Sequence, residues 1–235
     1  MGAARLTQHP RSTTMGSICG QEVAKLPKAI TSLEGFIRKL AKLVSDNPGI
    51  QLAYRGHSKA EYEIRPSVFR NENHKSSEHL MLRQLIAQHP SDFSADKWVF
   101  DQLVRAQHYG LPTRLLDVSI NPLVALYFAV CSNPSSRAAV VVFKPKVGAQ
   151  KYFDSDVVSC LSALSLLTEG EKNTLSTHAI EYIKKANKKT RKLDESGIMN
   201  FNAHPVPEKL VQMVRQEKPD FRSAIQPLDL VRPVL

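Results

Sequence analysis

Residues 106–117, Ala-Gln-His-Tyr-Gly-Leu-Pro-Thr-Arg-Leu-Leu-Asp, join two very different stretches of chain. Upstream, Val99, Phe100, Leu103 and Val104 recur at helical spacing, which predicts a helix from Ser94 to Tyr109 that Gly110 and Pro112 close. Downstream, Asn121-Pro122 reads as the N-cap and first position of a helix over Leu123–Cys131. That helix is apolar all round and is expected to be buried on several sides. Ala138–Phe143 follows as a continuous Val-rich run, the pattern of an interior strand. A polar connection pinned between apolar elements is a place where sites are built.

Further towards the N-terminus, Ile50, Leu52 and Tyr54 alternate with Gln51, Ala53 and Arg55. This period of two predicts a strand that Gly56 ends, with Arg55 at its tip on the face opposite Tyr54. A helix over 32–44 is predicted from the Ser32 cap and from Leu33, Phe36, Ile37, Leu40, Leu43 and Val44, with Asn47-Pro48-Gly49 as its stop. A second over 76–88 turns Leu82, Leu85 and Ile86 inward. Beyond residue 155, helices are expected over 157–167 and 174–192. Pro205, Pro207, Pro219, Pro227 and Pro233 then predict turns and short strands. Residues 1–25 read as a mobile leader and 26–235 as a single domain. Together these elements predict an α+β fold, a small mixed sheet packed with several helices.

The chain has 235 residues, 42% of them hydrophobic and 23% charged, which is enough to bury a real core and excludes overall disorder. No apolar run reaches the roughly 20 residues that span a bilayer, so no membrane association is expected. The first residues lack an apolar secretory segment, and the three cysteines Cys19, Cys131 and Cys160 are scattered, which points to a cytoplasmic protein. No cysteine pair and no aligned histidine pair suggests a metal, and no phosphate-binding glycine loop, zinc-protease helix or G-x-S-x-G motif is present; Gly56-His57-Ser58-Lys59-Ala60 has the shape of a degenerate nucleophile elbow but no positioned base. The formal charge is +10, with 32 Lys and Arg against 22 Asp and Glu. Its densest run, Lys184–Lys192, has no interleaved aromatic residue and reads as a solvated helix end more than a base-stacking platform.

Arg55 carries the first candidate chemistry. A guanidinium fork beside glycine can grip a carboxylate or phosphate bidentately, with His57 next to it, or it can pair with a core carboxylate. In the second segment, Arg114 and Asp117 form either part of a ligand site or a mutual buried salt bridge. His108 donates to a phosphate or caps its helix end, where a cation is favoured.

Tyr-Arg-Gly at 54–56 and Gln-His-Tyr-Gly-Leu-Pro-Thr-Arg-Leu-Leu-Asp at 107–117, followed by Asn-Pro-Leu-Val-Ala-Leu-Tyr-Phe-Ala, resemble the FRG domain, a bacterial and phage-associated family named for its (Phe/Tyr)-Arg-Gly motif. The likeness extends over roughly residues 30–225. The order of an arginine at a strand end, a Ser/Thr segment before an apolar helix and a late Gln/Glu strand is also similar to ADP-ribosyltransferases. That second resemblance implies an ADP-ribosyltransferase-like fold, NAD as substrate, no metal, and ADP-ribosyl transfer or NAD hydrolysis by a toxin or phage-defence effector. It further implies a nucleic-acid or protein acceptor and an antitoxin partner. It places Arg55 on the dinucleotide phosphate with Gly56 and His57 beside it. His108 and Arg114 are second contacts, with Asp117 close by, and Thr113 or Ser119 lines the nicotinamide pocket. Glu217 takes the role of catalytic carboxylate, with Asp117 as substitute if the fold brings it to Arg55. Lys218 stands where the transferase pattern has a second glutamate. A non-enzymatic phosphate- or nucleic-acid-binding module is the alternative.

Overall fold

The structure is a computed structural model, which describes residues 4–7, 29–132, 135–146, 148–186, 193–221 and 225–231. The described residues divide into two compact units, one formed by those within 1–64 and 117–150, the other by those within 65–116 and 151–231.

The first unit is built on a small sheet. Strand β3 (Ala138–Phe143) is buried along its whole length and pairs antiparallel with β2 (Ala53–His57), Tyr54 opposite Val142 and Gly56 opposite Val140. A four-residue strand, β1 (Ala4–Thr7), runs parallel along the other edge of β3. It lies within the stretch expected as leader; the rest of 1–25 falls outside the described residues. Helix α1 (Leu33–Ser45) starts where expected, the Ser32 hydroxyl accepting from the Gly35 amide. It buries Phe36 in a core with Leu52, Tyr54, Val140 and Val142.

Two expectations need correction in this unit. The strand does not stop at Gly56; β2 runs through it to His57, and Ile50–Leu52 precede it. The reason is α5 (Pro122–Val130), which presses Ala125 and Ala129 onto the sheet so closely that a Cβ on Gly56 would lie 1.9 Å from the Ala125 carbonyl oxygen. The glycine is there for close approach, not as a breaker. Nor is α5 buried on several sides. Only Ala125 and Ala129 are buried, while Leu123, Val124, Tyr127, Phe128 and Val130 are exposed. The two alanines, with the partly buried Leu126 beside them, make the contact, and the other large side chains face outward.

The second unit is helical: α2 (Glu72–Gln88), α3 (Pro90–Phe93), α4 (Val99–His108), α6 (Asp156–Ala163), α7 (Glu169–Lys185), α8 (Glu195–Asn202), α9 (Pro205–Glu217) and α10 (Pro227–Val231). Leu82, Phe93, Val99, Leu103 and Ala106 form one core cluster. Ala163, Leu167, Leu175, Phe201, Leu210 and Val214 form another. The expected helix from Ser94 begins only at Val99, because Trp98 is extended and the preceding turn belongs to α3. Helix α7 starts earlier than expected through a reciprocal cap between Thr168 and Glu171, and its expected extension over 187–192 lies outside the described residues. Pro205, Pro207 and Pro227 lie in helices and not in strands, whereas Pro219 is in a turn as expected and Pro233 lies outside the described residues. Pro205 sits in the first turn of α9, where a missing N–H costs nothing, and Leu210, Val211 and Val214 form its buried face. A sheet in one unit and helices in both make the protein α+β, as its sequence predicts.

Candidate functional site

In the first unit, β2 directs Arg55 and His57 to the face opposite Tyr54. The main chain of Tyr54 exchanges two hydrogen bonds of 2.7 Å with Ser119, an isolated bridge that holds residues 117–119 alongside the strand. The Asp117 carbonyl thereby comes within reach of Arg55, whose Nη1 donates to it. Arg55 Nε donates to His57 Nε2 at 3.3 Å, an arrangement that puts the ring proton of His57 on Nδ1. His57 is buried, its ring edge-on to Tyr62. The Ser119 hydroxyl accepts from the Asn121 amide, and the Asn121 side chain accepts from Leu123 as the cap of α5. Burial pushes the Tyr54 hydroxyl up from its ordinary pKa, so it stays neutral. Arg55, Gly56, His57, Asp117 and Ser119 are thus gathered by one strand and one bend. Arg55 is half-buried and the Asp117 side chain exposed. A guanidinium set among a main-chain carbonyl and an imidazole, at the edge of solvent, is suited to an anionic group.

The remaining predicted residues belong to the second unit. Thr113 is buried and fully engaged: its hydroxyl donates to Gln107 at 2.7 Å, its amide to the Ser67 hydroxyl at 3.1 Å, and its carbonyl accepts from Val68. The mutual Arg114–Asp117 salt bridge does not form. Arg114 instead grips Glu78 of α2 bidentately, at 2.9 and 2.6 Å, and Lys172 of α7 donates to the same carboxylate at 2.6 Å. Glu78 is 2% exposed. Burial alone would raise its pKa, but the charges and hydrogen bonds of Arg114 and Lys172 outweigh that and hold it below the usual carboxylate range. This is an internal ion cluster tying the Thr-Arg segment to two helices. His108 is exposed at the end of α4.

Glu217 does not lie on a late strand, because residues 214–217 are the last turn of α9. Its carboxylate accepts from the Val99 amide at 2.7 Å and so caps α4, whose own cap residue, Trp98, has no side-chain acceptor to offer. Burial raises the Glu217 pKa, and the hydrogen bond from Val99 opposes this only in part.

Sequence reasoning missed Glu78, Lys172 and Gln107. One sign of Glu78 was present: it sits four residues before Leu82, on the stripe that α2 buries. A hollow of about 370 Å³ in the second unit, lined by Met199, Asn202, Glu208, Gln212 and Arg215 among others, includes none of the predicted residues. Among the described residues, no group of three or more His, Cys, Asp or Glu is placed to hold a metal ion, and no helix is long and apolar enough to cross a membrane.

No curated protein and no solved structure matches the chain. A family model described as the FRG domain matches residues 50–138. That span takes in the Tyr54–His57 strand, the Gln107–Asp117 segment, α5 and the first residue of β3. Over residues 50–138 the chain is thus similar to the FRG domain.

Proposed function

We propose that the Arg55–Gly56–His57 strand and the Asp117–Ser119 bend form an NAD-binding site of ADP-ribosyltransferase type, in a toxin or defence effector. The observation that supports this reading is the meeting of Arg55 with the Asp117 segment across the Tyr54–Ser119 bridge. Arg55 would hold the pyrophosphate, with Gly56 and His57 alongside, and Ser119 would line the nicotinamide end. When the glycosidic bond breaks, nicotinamide leaves with the bonding electron pair and the ribose carbon gains oxocarbenium character. A nearby carboxylate stabilises that charge while water or an acceptor group attacks and gives up its proton. Asp117 fits this role better than Glu217, because the Glu217 carboxylate already holds the α4 amide.

The second reading is a binding module for phosphate-bearing ligands or nucleic acid, favoured by the +10 charge and by the structural use of Thr113 and Arg114. One experiment separates the two. The purified chain is incubated with NAD, alone and with nucleic acid, and nicotinamide is measured. The NAD reading expects release that falls about 100-fold or more in Arg55→Ala and Asp117→Asn, with folding intact. It expects the same substitutions to relieve any growth arrest on expression. Polyanion binding with a steep salt slope and no turnover would replace it by the second reading.

A further inference from the structure

Helix α5 is capped by Asn121, begins at Pro122 and carries no charged side chain from Pro122 to Val130. Its Ala125 and Ala129 face the sheet. The opposite side presents Leu123, Val124, Tyr127, Phe128 and Val130, recurring at helical spacing, and the exposed Val118 and Ile120 precede the cap. Ile120 is 69% exposed, Tyr127 63% and Phe128 59%. Side chains of this size at such exposures leave on the order of 600 Å² of apolar surface open. That is as large as the largest patch usual on a monomer, about 300–600 Å².

We propose that this outer face of α5 is a self-association surface, on which two copies of the chain pair about a twofold axis. Three observations favour a second copy as the occupant. The area approaches the roughly 800 Å² that each partner contributes to a standard stable interface. The absence of charge on α5 lets the same stripe face itself although the chain carries +10 overall. An isologous contact needs a self-complementary patch, and Tyr127 and Phe128 near its middle supply large rings that interdigitate across an antiparallel helix pair. Because the remaining charge of the two copies repels at long range, pairing tightens as salt rises. Binding to an anionic partner would do the opposite.

The test is sedimentation equilibrium of the full chain across the micromolar range, at about 0.05 and about 0.5 M salt. The expected result is a reversible dimer, tighter at high salt and weakened about ten-fold or more in Tyr127→Ala and in Phe128→Ala. Both variants keep the buried alanine face and should melt as the parent does. Tyr127→Glu should be monomeric. A parent chain that stays monomeric throughout overturns the proposal, as does a dimer that survives Tyr127→Glu. Co-sedimentation of the monomer with phosphatidylcholine vesicles, lost in Tyr127→Glu, would assign the patch to a lipid surface and overturn it as well.

Discussion

Arg55 and Arg114 are the arginines of the two motif segments, and their surroundings separate them. Arg114 spends its fork on a buried carboxylate, with Lys172 on the same group and the Phe69 ring 5.9 Å from the guanidinium. Arg55 directs its donors to the Asp117 carbonyl and to an imidazole nitrogen, half-open to solvent. The same side chain serves cohesion at Arg114, and recognition is the role proposed for it at Arg55. At Arg114 a buried carboxylate, Glu78, meets the fork. An arginine in a sequence motif is therefore no guide to function until its partner is known.

The sharpest way to break this contrast is to remove the partner. Glu78→Ala leaves Arg114 and Lys172 with uncompensated charge in the interior and should cost about 3–5 kcal/mol in urea unfolding. Arg55→Ala, which loses hydrogen bonds at a half-buried site, should cost less, about 1 kcal/mol, and on the proposed function should remove anion binding. Similar losses in both would erase the distinction. The pH dependence sharpens it further. The folded pKa of Glu78 lies below its unfolded value, so the stabilisation is fully present above the ordinary carboxylate range and is lost as pH falls through the folded value. Stability of the parent should therefore drop more steeply on acidification than that of Glu78→Gln, as measured by melts from pH 7 to pH 3.

Next in size is the glycine beside Arg55. Gly56→Ala drives a methyl group into the backbone of α5, which no rotamer change relieves, and should cost about 3 kcal/mol. If the variant melts like the parent, α5 does not sit on β2 as closely as described. Since Ala129→Gly would enlarge the space on the other side of the contact, it should recover little, because the nearest atoms to the added methyl are main-chain ones.

The two segments also differ in how much of them the sequence discloses. Alternation and capping are local properties, so the Ser32 cap, β3, the Asn121-Pro122 start of α5 and the opposite faces of Tyr54 and Arg55 could all be read directly. The Glu78–Arg114 pairing spans 36 positions and the Glu217–Val99 cap 118, and no local pattern carries either. Gly56 misled because a strand breaker and a close-approach glycine look alike without the helix opposite. Helix α5 misled for a related reason. Nine apolar residues imply burial only if enough structure exists to cover them, and here one narrow stripe, Ala125 and Ala129 with Leu126 beside them, takes the cover available. In α9, prolines that suggest an irregular tail are harmless in a first turn.

Glu217 gives a smaller but cleaner test, since it was expected to be the chemical group and its carboxylate also caps α4. Glu217→Ala should cost about 1 kcal/mol, the usual loss for an N-terminal cap, whereas Glu217→Gln keeps an acceptor for the Val99 amide. The raised folded pKa fixes the sign: ionisation is less favourable in the folded chain, so this group contributes less stability as pH climbs from the unfolded value through the folded one. Glu217→Gln should therefore gain on the parent between pH 4 and pH 8. Loss of NAD turnover in Glu217→Gln with unchanged melting would return Glu217 to the chemistry and displace Asp117.

The smallest expected effect concerns the thiols and probes the two units without perturbing either. Cys131 is exposed at the end of α5, while Cys160 is buried in α6, its thiol pushed up to about 12 chiefly by burial. A thiolate is the reactive form, so a neutral alkylating agent at pH 8 should modify Cys131 within minutes and leave Cys160 intact until the second unit opens. The rate at Cys160 then reports opening of that unit alone. In Glu78→Ala it should rise by orders of magnitude, and in Arg55→Ala it should not move. Should Arg55→Ala speed it as much, the cohesion of the helical unit would depend on the strand arginine, and the division of labour between the two guanidinium groups would be wrong.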